Sequence, residues 1–228
     1  DGIMHLAGHQ AFAVADGIGG LAAGEMATCQ AIDFFEFGLD QGMSLVTALE
    51  FANQAVLARS KGYYLGLDSL STGTAFMGAK LDGNKMQLAF MGDVKAMLVR
   101  DKQIVFSTKD HTHGQELWRA GLVDQLTAIE LNHVLNRCLG ADTIRPSRDI
   151  EFHEIDLQVG DRIVIATDGV TDNYFGSNFN LELLLPYVVE SDLATAVQNL
   201  WFDLRRGMQL TYFPNGRKVK PDNFSFMM

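Results

Sequence analysis

The 228-residue chain has only two cysteines and four prolines, and each shortage removes a class of protein. Cys29 and Cys138 lack the paired spacing of a metal knuckle or redox motif. Two such thiols cannot staple a disulfide framework, so a reducing, cytoplasmic setting is expected. Neither lies in a Cys-x5-Arg loop, which argues against phosphoryl chemistry through a thiolate nucleophile. No apolar run approaches the roughly 18 residues that a bilayer span needs, and no charged-then-apolar leader opens the chain. Basic residues are scarce as well: 18 Lys and Arg stand against 28 Asp and Glu, a net charge of −10. That balance argues against nucleic acid and anionic membrane surfaces as partners. Linkers, repeats and low-complexity segments are also missing. With 47% hydrophobic residues, residues 1–228 are read as one domain with one large core, a monomer by default.

What the chain does have is acid at strand ends. The apolar run Ala11-Phe12-Ala13-Val14-Ala15 delivers Asp16-Gly17-Ile18-Gly19-Gly20, Phe90-Met91 delivers Gly92-Asp93, and Val164-Ile165-Ala166-Thr167 delivers Asp168-Gly169. Near the C-terminus, Asp222-Asn223 precedes the alternating segment Phe224 to Met228. Hard divalent cations prefer carboxylate, carbonyl and water oxygens, and short Asp side chains supply stiff ligands. Gly17 adds a backbone carbonyl that no side chain shields. Converging aspartates repel one another, and no Lys or Arg stands beside Asp16 or Asp168, so a bound cation is the natural neutralising element.

Periodicity places these acids on a framework. A strand over Gln10 to Asp16 is followed by helices over Gly24 to Gly38 and through Leu45, Leu49, Ala52 and Val56. Strand pairs at Gly73 to Leu81 with Lys85 to Met91, and at Ala96 to Arg100 with Gln103 to Ser107, are joined by Asp82-Gly83-Asn84 and Asp101-Lys102. Both read as antiparallel hairpins, and their turn acids carry no chemistry. Short helical pieces at Gln115 to Gly121 and Thr127 to Asn132 lead to strands at Ile150 to Leu157 and Arg162 to Asp168. Helices at Leu181 to Val189 and Leu193 to Arg206 and a last strand at Asp222 to Met228 complete the chain. The blocks fit an α+β fold, a four-layer α-β-β-α sandwich of two antiparallel sheets flanked by helices. His111 and His113, one residue apart, are read as structural because nothing nearby completes a tetrahedral zinc site. Arg205-Arg206 and Arg217-Lys218-Val219-Lys220 are read as solvated basic spots.

In order along the chain, Asp16-Gly17-x-Gly19-Gly20, Gly73-Thr74-Ala75, Gly92-Asp93, Asp110-His111-Thr112, Asp168-Gly169 and Asp222-Asn223 resemble the metal-dependent serine/threonine protein phosphatases of type 2C, in their bacterial form. The resemblance spans essentially the whole chain. It implies two Mn²⁺ or Mg²⁺ ions held by Asp16, the Gly17 carbonyl, Asp168 and Asp222, with Asp93 linked to a possible third. It further implies hydrolysis of phosphoserine and phosphothreonine in proteins by a water bridging the two ions, with Asp16, Asp168 and Asp222 acting through it. A Ser/Thr kinase or its targets would be the partners, and the stretch Asp110 to Leu139 would be the family's variable flap.

The departures from the pattern are specific. Val94 replaces the serine usual after Gly-Asp, and Ile18 stands where some eukaryotic members carry a histidine. The family's upstream Arg and Asn-x-Asp segment has no counterpart before Asp1, so either that segment is missing from the sequence or the phosphate-anchoring arginine is. These leave two alternatives open: a catalytically weak or inactive pseudophosphatase that serves as a binding module, or a phosphatase of anti-sigma-factor antagonist domains.

Overall fold

Asp82-Gly83-Asn84 and Asp101-Lys102 do close hairpins in the computed structural model, which describes residues 1–18, 24–62, 73–141, 146–171, 181–190, 192–207 and 224–228. In chain order the strands are β1 (Gly2–Leu6), β2 (Ala11–Gly17), β3 (Thr74–Asp82), β4 (Lys85–Met91), β5 (Lys95–Arg100), β6 (Gln103–Ser107), β7 (Glu151–Asp156), β8 (Arg162–Ala166) and β9 (Phe226–Met227). The helices are α1 (Gly24–Asp40), α2 (Leu45–Gly62), α3 (His113–Arg119), α4 (Gln125–Glu130), α5 (Pro146–Asp149), α6 (Asp168–Thr171), α7 (Leu185–Val188) and α8 (Leu193–Gly207). All strand pairings are antiparallel, in two sheets ordered β1-β2-β3-β4-β7 and β6-β5-β8-β9. The architecture is α+β, two antiparallel sheets flanked by helices. The chain divides into two compact units, residues 1–94 with 110–157 and residues 95–109 with 158–228.

In the first unit, α1 and α2 pack on each other and against the five-stranded sheet. Their boundaries follow from local chemistry. Gly42, at φ +77, ends α1: its N–H donates to the Leu39 carbonyl (2.9 Å) and Met43 N–H donates to the Gly38 carbonyl (3.0 Å). Those paired bonds are a Schellman cap. Ser44 then caps α2, its hydroxyl accepting from Thr47 N–H (3.2 Å). The largest fully buried side chain of α1 is Phe35, set edge-on to Phe76 at 5.1 Å. Gly78 on β3 makes the space, since a Cβ there would lie 2.5 Å from the Phe35 ring. Burying such a ring stabilises by about 1.5–3 kcal/mol.

In the second unit, Met97, Val99, Val164 and Ala166 from one face of the four-stranded sheet meet Val170 of α6, Val188 of α7, and Leu200 and Leu204 of α8. Arg100 at the end of β5 holds Asp161 ahead of β8 through two bonds, Nε to Oδ1 (2.8 Å) and Nη2 to Oδ2 (2.7 Å). That guanidinium keeps the Asp161 carboxyl below its usual range.

Most departures from the sequence reading lie at element ends. The pieces expected at Gln115 to Gly121 and Thr127 to Asn132 begin two residues earlier, as α3 and α4. Thr112 and Asp124 act as their N-caps, accepting from Gln115 N–H (3.2 Å) and Thr127 N–H (2.8 Å). The helix expected over Leu181 to Val189 is a 3-10 turn at Leu181–Leu184 followed by α7, with Pro186 at its start. The final strand is shorter than expected: β9 covers only Phe226–Met227, and Asp222 and Asn223 lie outside the described residues. β1 and the 3-10 turn Ala7–His9 were not anticipated. Among the described residues, no helix is long and apolar enough to cross a membrane.

Candidate metal centre

Asp16 and Gly17 are the last residues of β2, paired with Ala75 and Thr74 of β3. The Thr74 hydroxyl donates to the Asp16 carbonyl oxygen (2.8 Å), and Thr28 Oγ1 of α1 lies 3.1 Å behind it. Both threonines are buried. The Gly73 carbonyl accepts from Ile18 N–H (3.1 Å), so the chain leaving β2 is tied to the start of β3 on both sides of Gly17. A Cβ on Gly17 would sit 2.7 Å from the backbone carbonyl of Gly24, where α1 begins. Glycine is therefore a steric requirement here, because only a residue without a Cβ lets β2 end this close to α1.

Gly92 and Asp93 follow β4, the strand on the other side of β3. Gly92 has φ +105, and a Cβ on it would lie 2.4 Å from that of Ala75, the residue paired with Asp16. Asp16 and the Gly92-Asp93 turn thus flank Ala75 at one end of the five-stranded sheet. Asp93 is 8% exposed. Cys138 is close enough to feel its charge: burial first, and the Asp93 carboxylate second, push the thiol up to about 11. A thiol so disfavoured as thiolate is no competing soft ligand.

The Gly92 turn is gripped by His111. His111 N–H donates to the Gly92 carbonyl (3.0 Å), and Gly92 N–H donates to His111 Nδ1 (3.2 Å). Nδ1 can accept only if the ring proton is on Nε2, which lies 3.0 Å from Glu151 Oε2. The other Glu151 oxygen is 2.8 Å from His153 Nε2. Phe90 stacks on both rings, with centroids 5.1 Å from His111 and 6.0 Å from His153. The His111 hydrogen bond, opposed by burial and aided by His153, holds the Glu151 carboxyl at about 2. His113, by contrast, is exposed in the first turn of α3, so the two histidines do not form a pair.

Asp168 opens α6, with Thr167 alone between it and the end of β8. Thr167 ties this strand end to the last strand: its N–H donates to the Ser225 carbonyl (3.0 Å), and its Oγ1 accepts from Ser225 N–H (3.0 Å). Asp222 precedes that strand outside the described residues, so its side chain is not placed here.

Of the sequence-derived ligands, then, Asp16, Gly17 and Asp93 gather at one sheet end of the first unit, and Asp168 stands at a strand end of the second. Among the described residues, no three of His, Cys, Asp or Glu come together closely enough to hold an ion by themselves. The donor set does fit Mg²⁺ or Mn²⁺ in kind, being carboxylates and one carbonyl. Three supporting residues had no assigned role from the sequence: Thr74, Glu151 and Thr167. Thr74 sat visibly in the Gly73-Thr74-Ala75 motif. Glu151 gave no signal, because its partner His111 lies 40 residues away in the chain.

No family model matches the chain. It is similar to the serine/threonine protein phosphatase PstP of Mycobacterium tuberculosis, with 28% identity over 193 residues, 81% of this chain and 36% of that protein. It is likewise similar to protein phosphatase PhpP of Streptococcus pneumoniae, with 28% identity over 185 residues, 76% of this chain and 72% of the relative. The chain therefore spans little more than a third of the length of the mycobacterial relative. The crystal structure of the M. tuberculosis phosphatase PstP/Ppp superposes with a TM-score of 0.76 at 24% identity, covering 99% of this chain and 88% of the other. The catalytic domain of PstP in complex with two manganese ions gives 0.73 at 25% identity, covering 90% and 84%. In sequence the chain is similar to bacterial serine/threonine protein phosphatases, and in fold it is similar to solved phosphatases of the PPM, or type 2C, family.

Proposed function

We propose that this chain is the catalytic domain of a metal-dependent phosphatase that hydrolyses phosphoserine and phosphothreonine in proteins. The observation that carries the reading is the set of acids delivered by buried strands, Asp16, Asp93 and Asp168, in a chain similar to a phosphatase domain that binds two manganese ions. Asp16, the Gly17 carbonyl, Asp168 and Asp222 would hold two Mn²⁺ or Mg²⁺ ions, and Asp93 a third. The ions would supply Lewis acidity at the phosphoryl group and charge for a hydrolytic attack on phosphorus.

The protein's own part is to fix the ligands before the ions arrive. Thr74 anchors the Asp16 backbone, Gly17 lets the end of β2 lie against the start of α1, and Thr167 pins the start of the Asp168 turn. Oxygen ligands on such supports lose little freedom on binding. Phosphorylated proteins, a Ser/Thr kinase or its targets among them, are the proposed partners, and the domain is proposed to act as a cytoplasmic monomer. Both cysteines are free thiols, which supports a reducing compartment.

Hydrolysis of a phosphothreonine peptide with Mn²⁺, with Mg²⁺ and with a chelator tests the reading. Turnover that requires metal supports it. Metal binding without turnover would replace it with a binding module that keeps the fold.

A further inference from the structure

The hold on Gly92 involves more groups than a turn needs. Its N–H and its carbonyl are both engaged by one residue, His111, through a ring nitrogen (3.2 Å) and a backbone N–H (3.0 Å). The residue held in this way is locked at φ +105 against Ala75 and is followed immediately by Asp93. The ring can accept the Gly92 N–H only as the Nε2-protonated tautomer, since a proton on Nδ1 would set two donors face to face. Glu151 is the group that enforces this. It sits on β7 opposite Phe90 of β4, and its Oε2 takes the His111 Nε2 proton at 3.0 Å while its Oε1 is occupied by His153 at 2.8 Å. Phe90 packs flat against the His111 ring, 8° from parallel, which limits its tilt.

We propose that His111 and Glu151 are positioning residues for Asp93: Glu151 selects the His111 tautomer, His111 fixes the Gly92 turn, and the turn presents the Asp93 carboxylate to a divalent cation. Neither residue touches the ion. The arrangement parallels the carboxylate–histidine pairs that orient metal ligands from behind, whose loss weakens metal binding by about 10–100-fold. The inference rests on the metal-dependent phosphatase reading.

The test is a Mn²⁺ binding isotherm by calorimetry on the wild type, Asp93→Asn, Glu151→Ala and the double variant, together with the imidazole ¹⁵N spectrum of the wild type. Asp93→Asn is expected to remove the weakest binding step. Glu151→Ala is expected to weaken that same step by about tenfold, leave the tighter steps unchanged, and add nothing in the Asp93→Asn background. Glu151→Gln, which keeps an acceptor for His111 Nε2, should recover most of the affinity. The wild-type spectrum should show His111 protonated on Nε2, a result that needs no variant to fold. A wild-type His111 protonated on Nδ1 would overturn the proposal, as would a weakest step unchanged by Glu151→Ala or an equal weakening of every step. A wild type that binds no Mn²⁺ would instead sink the phosphatase reading beneath it.

Discussion

Gly92→Ala is the substitution whose cost can be worked most directly from the geometry. The new Cβ would lie 2.4 Å from Ala75 Cβ and 2.8 Å from its Cα. Ala75 cannot retreat, because it is 1% exposed near the start of β3, between β2 and β4, and is paired to Asp16 of β2. Overpacking of this kind costs about 1–3 kcal/mol. The φ of +105 adds about 1–3 kcal/mol for a residue with a side chain, so the total is about 2–6 kcal/mol. Gly83→Ala is the natural control: its φ of +61 is also positive, but nothing lies within 4 Å of its added Cβ. That change should cost only the backbone term, about 1–2 kcal/mol. Urea unfolding with linear extrapolation measures both, and Gly92→Ala should be the more damaging by at least about 1 kcal/mol. Equal losses, or a Gly92→Ala variant within about 0.5 kcal/mol of wild type, would refute the steric argument.

Further outcomes follow from other parts of the molecule. Glu151 is held at about 2 instead of the usual 4.5, so its contribution is complete above about pH 4.5 and is lost as pH falls toward about 2. Each unit of depression corresponds to about 1.4 kcal/mol, but the side chain is 29% exposed, and solvent screening reduces the sum to roughly 1–2 kcal/mol. Denaturant unfolding of wild type and Glu151→Gln should show a gap of that size at pH 6 that closes toward pH 2; a constant gap would contradict the assignment. Phe35→Ala should cost about 3–5 kcal/mol in the same assay, because the ring is fully buried and lies against Gly78, which has no side chain to move into the cavity. Asp101 and Lys102 both have positive φ, at +50 and +64, in the turn between β5 and β6. Lys102→Gly relieves about 1–2 kcal/mol of left-handed strain against a glycine entropy cost of about 0.5–1 kcal/mol, so a net gain of about 0.5–1 kcal/mol is expected in thermal melts.

How much was legible in the sequence follows the range of the interactions involved. The strands Lys85–Met91 and Gln103–Ser107 lie where periodicity placed them, because a period of two next to a turn is a local signal. The strand-end positions of Asp16, Asp93 and Asp168 were readable for the same reason: each follows an apolar run that ends abruptly. β1 was not readable, since only Met4 of its five residues is buried and an edge strand with one inward side chain carries no alternation. Helix starts at His113 and Gln125 were missed by two residues because the capping roles of Thr112 and Asp124 outweigh the apolar pattern. The grip of His111 and Glu151 on Gly92 was invisible for a different reason. It joins β4, β7 and the loop before α3, and no window of sequence contains all three.

The most direct measurement is turnover of a phosphothreonine peptide in saturating Mn²⁺ by wild type, Asp16→Ala, Asp168→Ala and Asp222→Ala, each checked for an unchanged far-ultraviolet circular dichroism spectrum. If these acids hold the ions, every variant keeps its fold and loses more than about a hundredfold in activity, beyond what a supporting residue costs. A folded variant that retains substantial metal-dependent turnover would contradict the assignment.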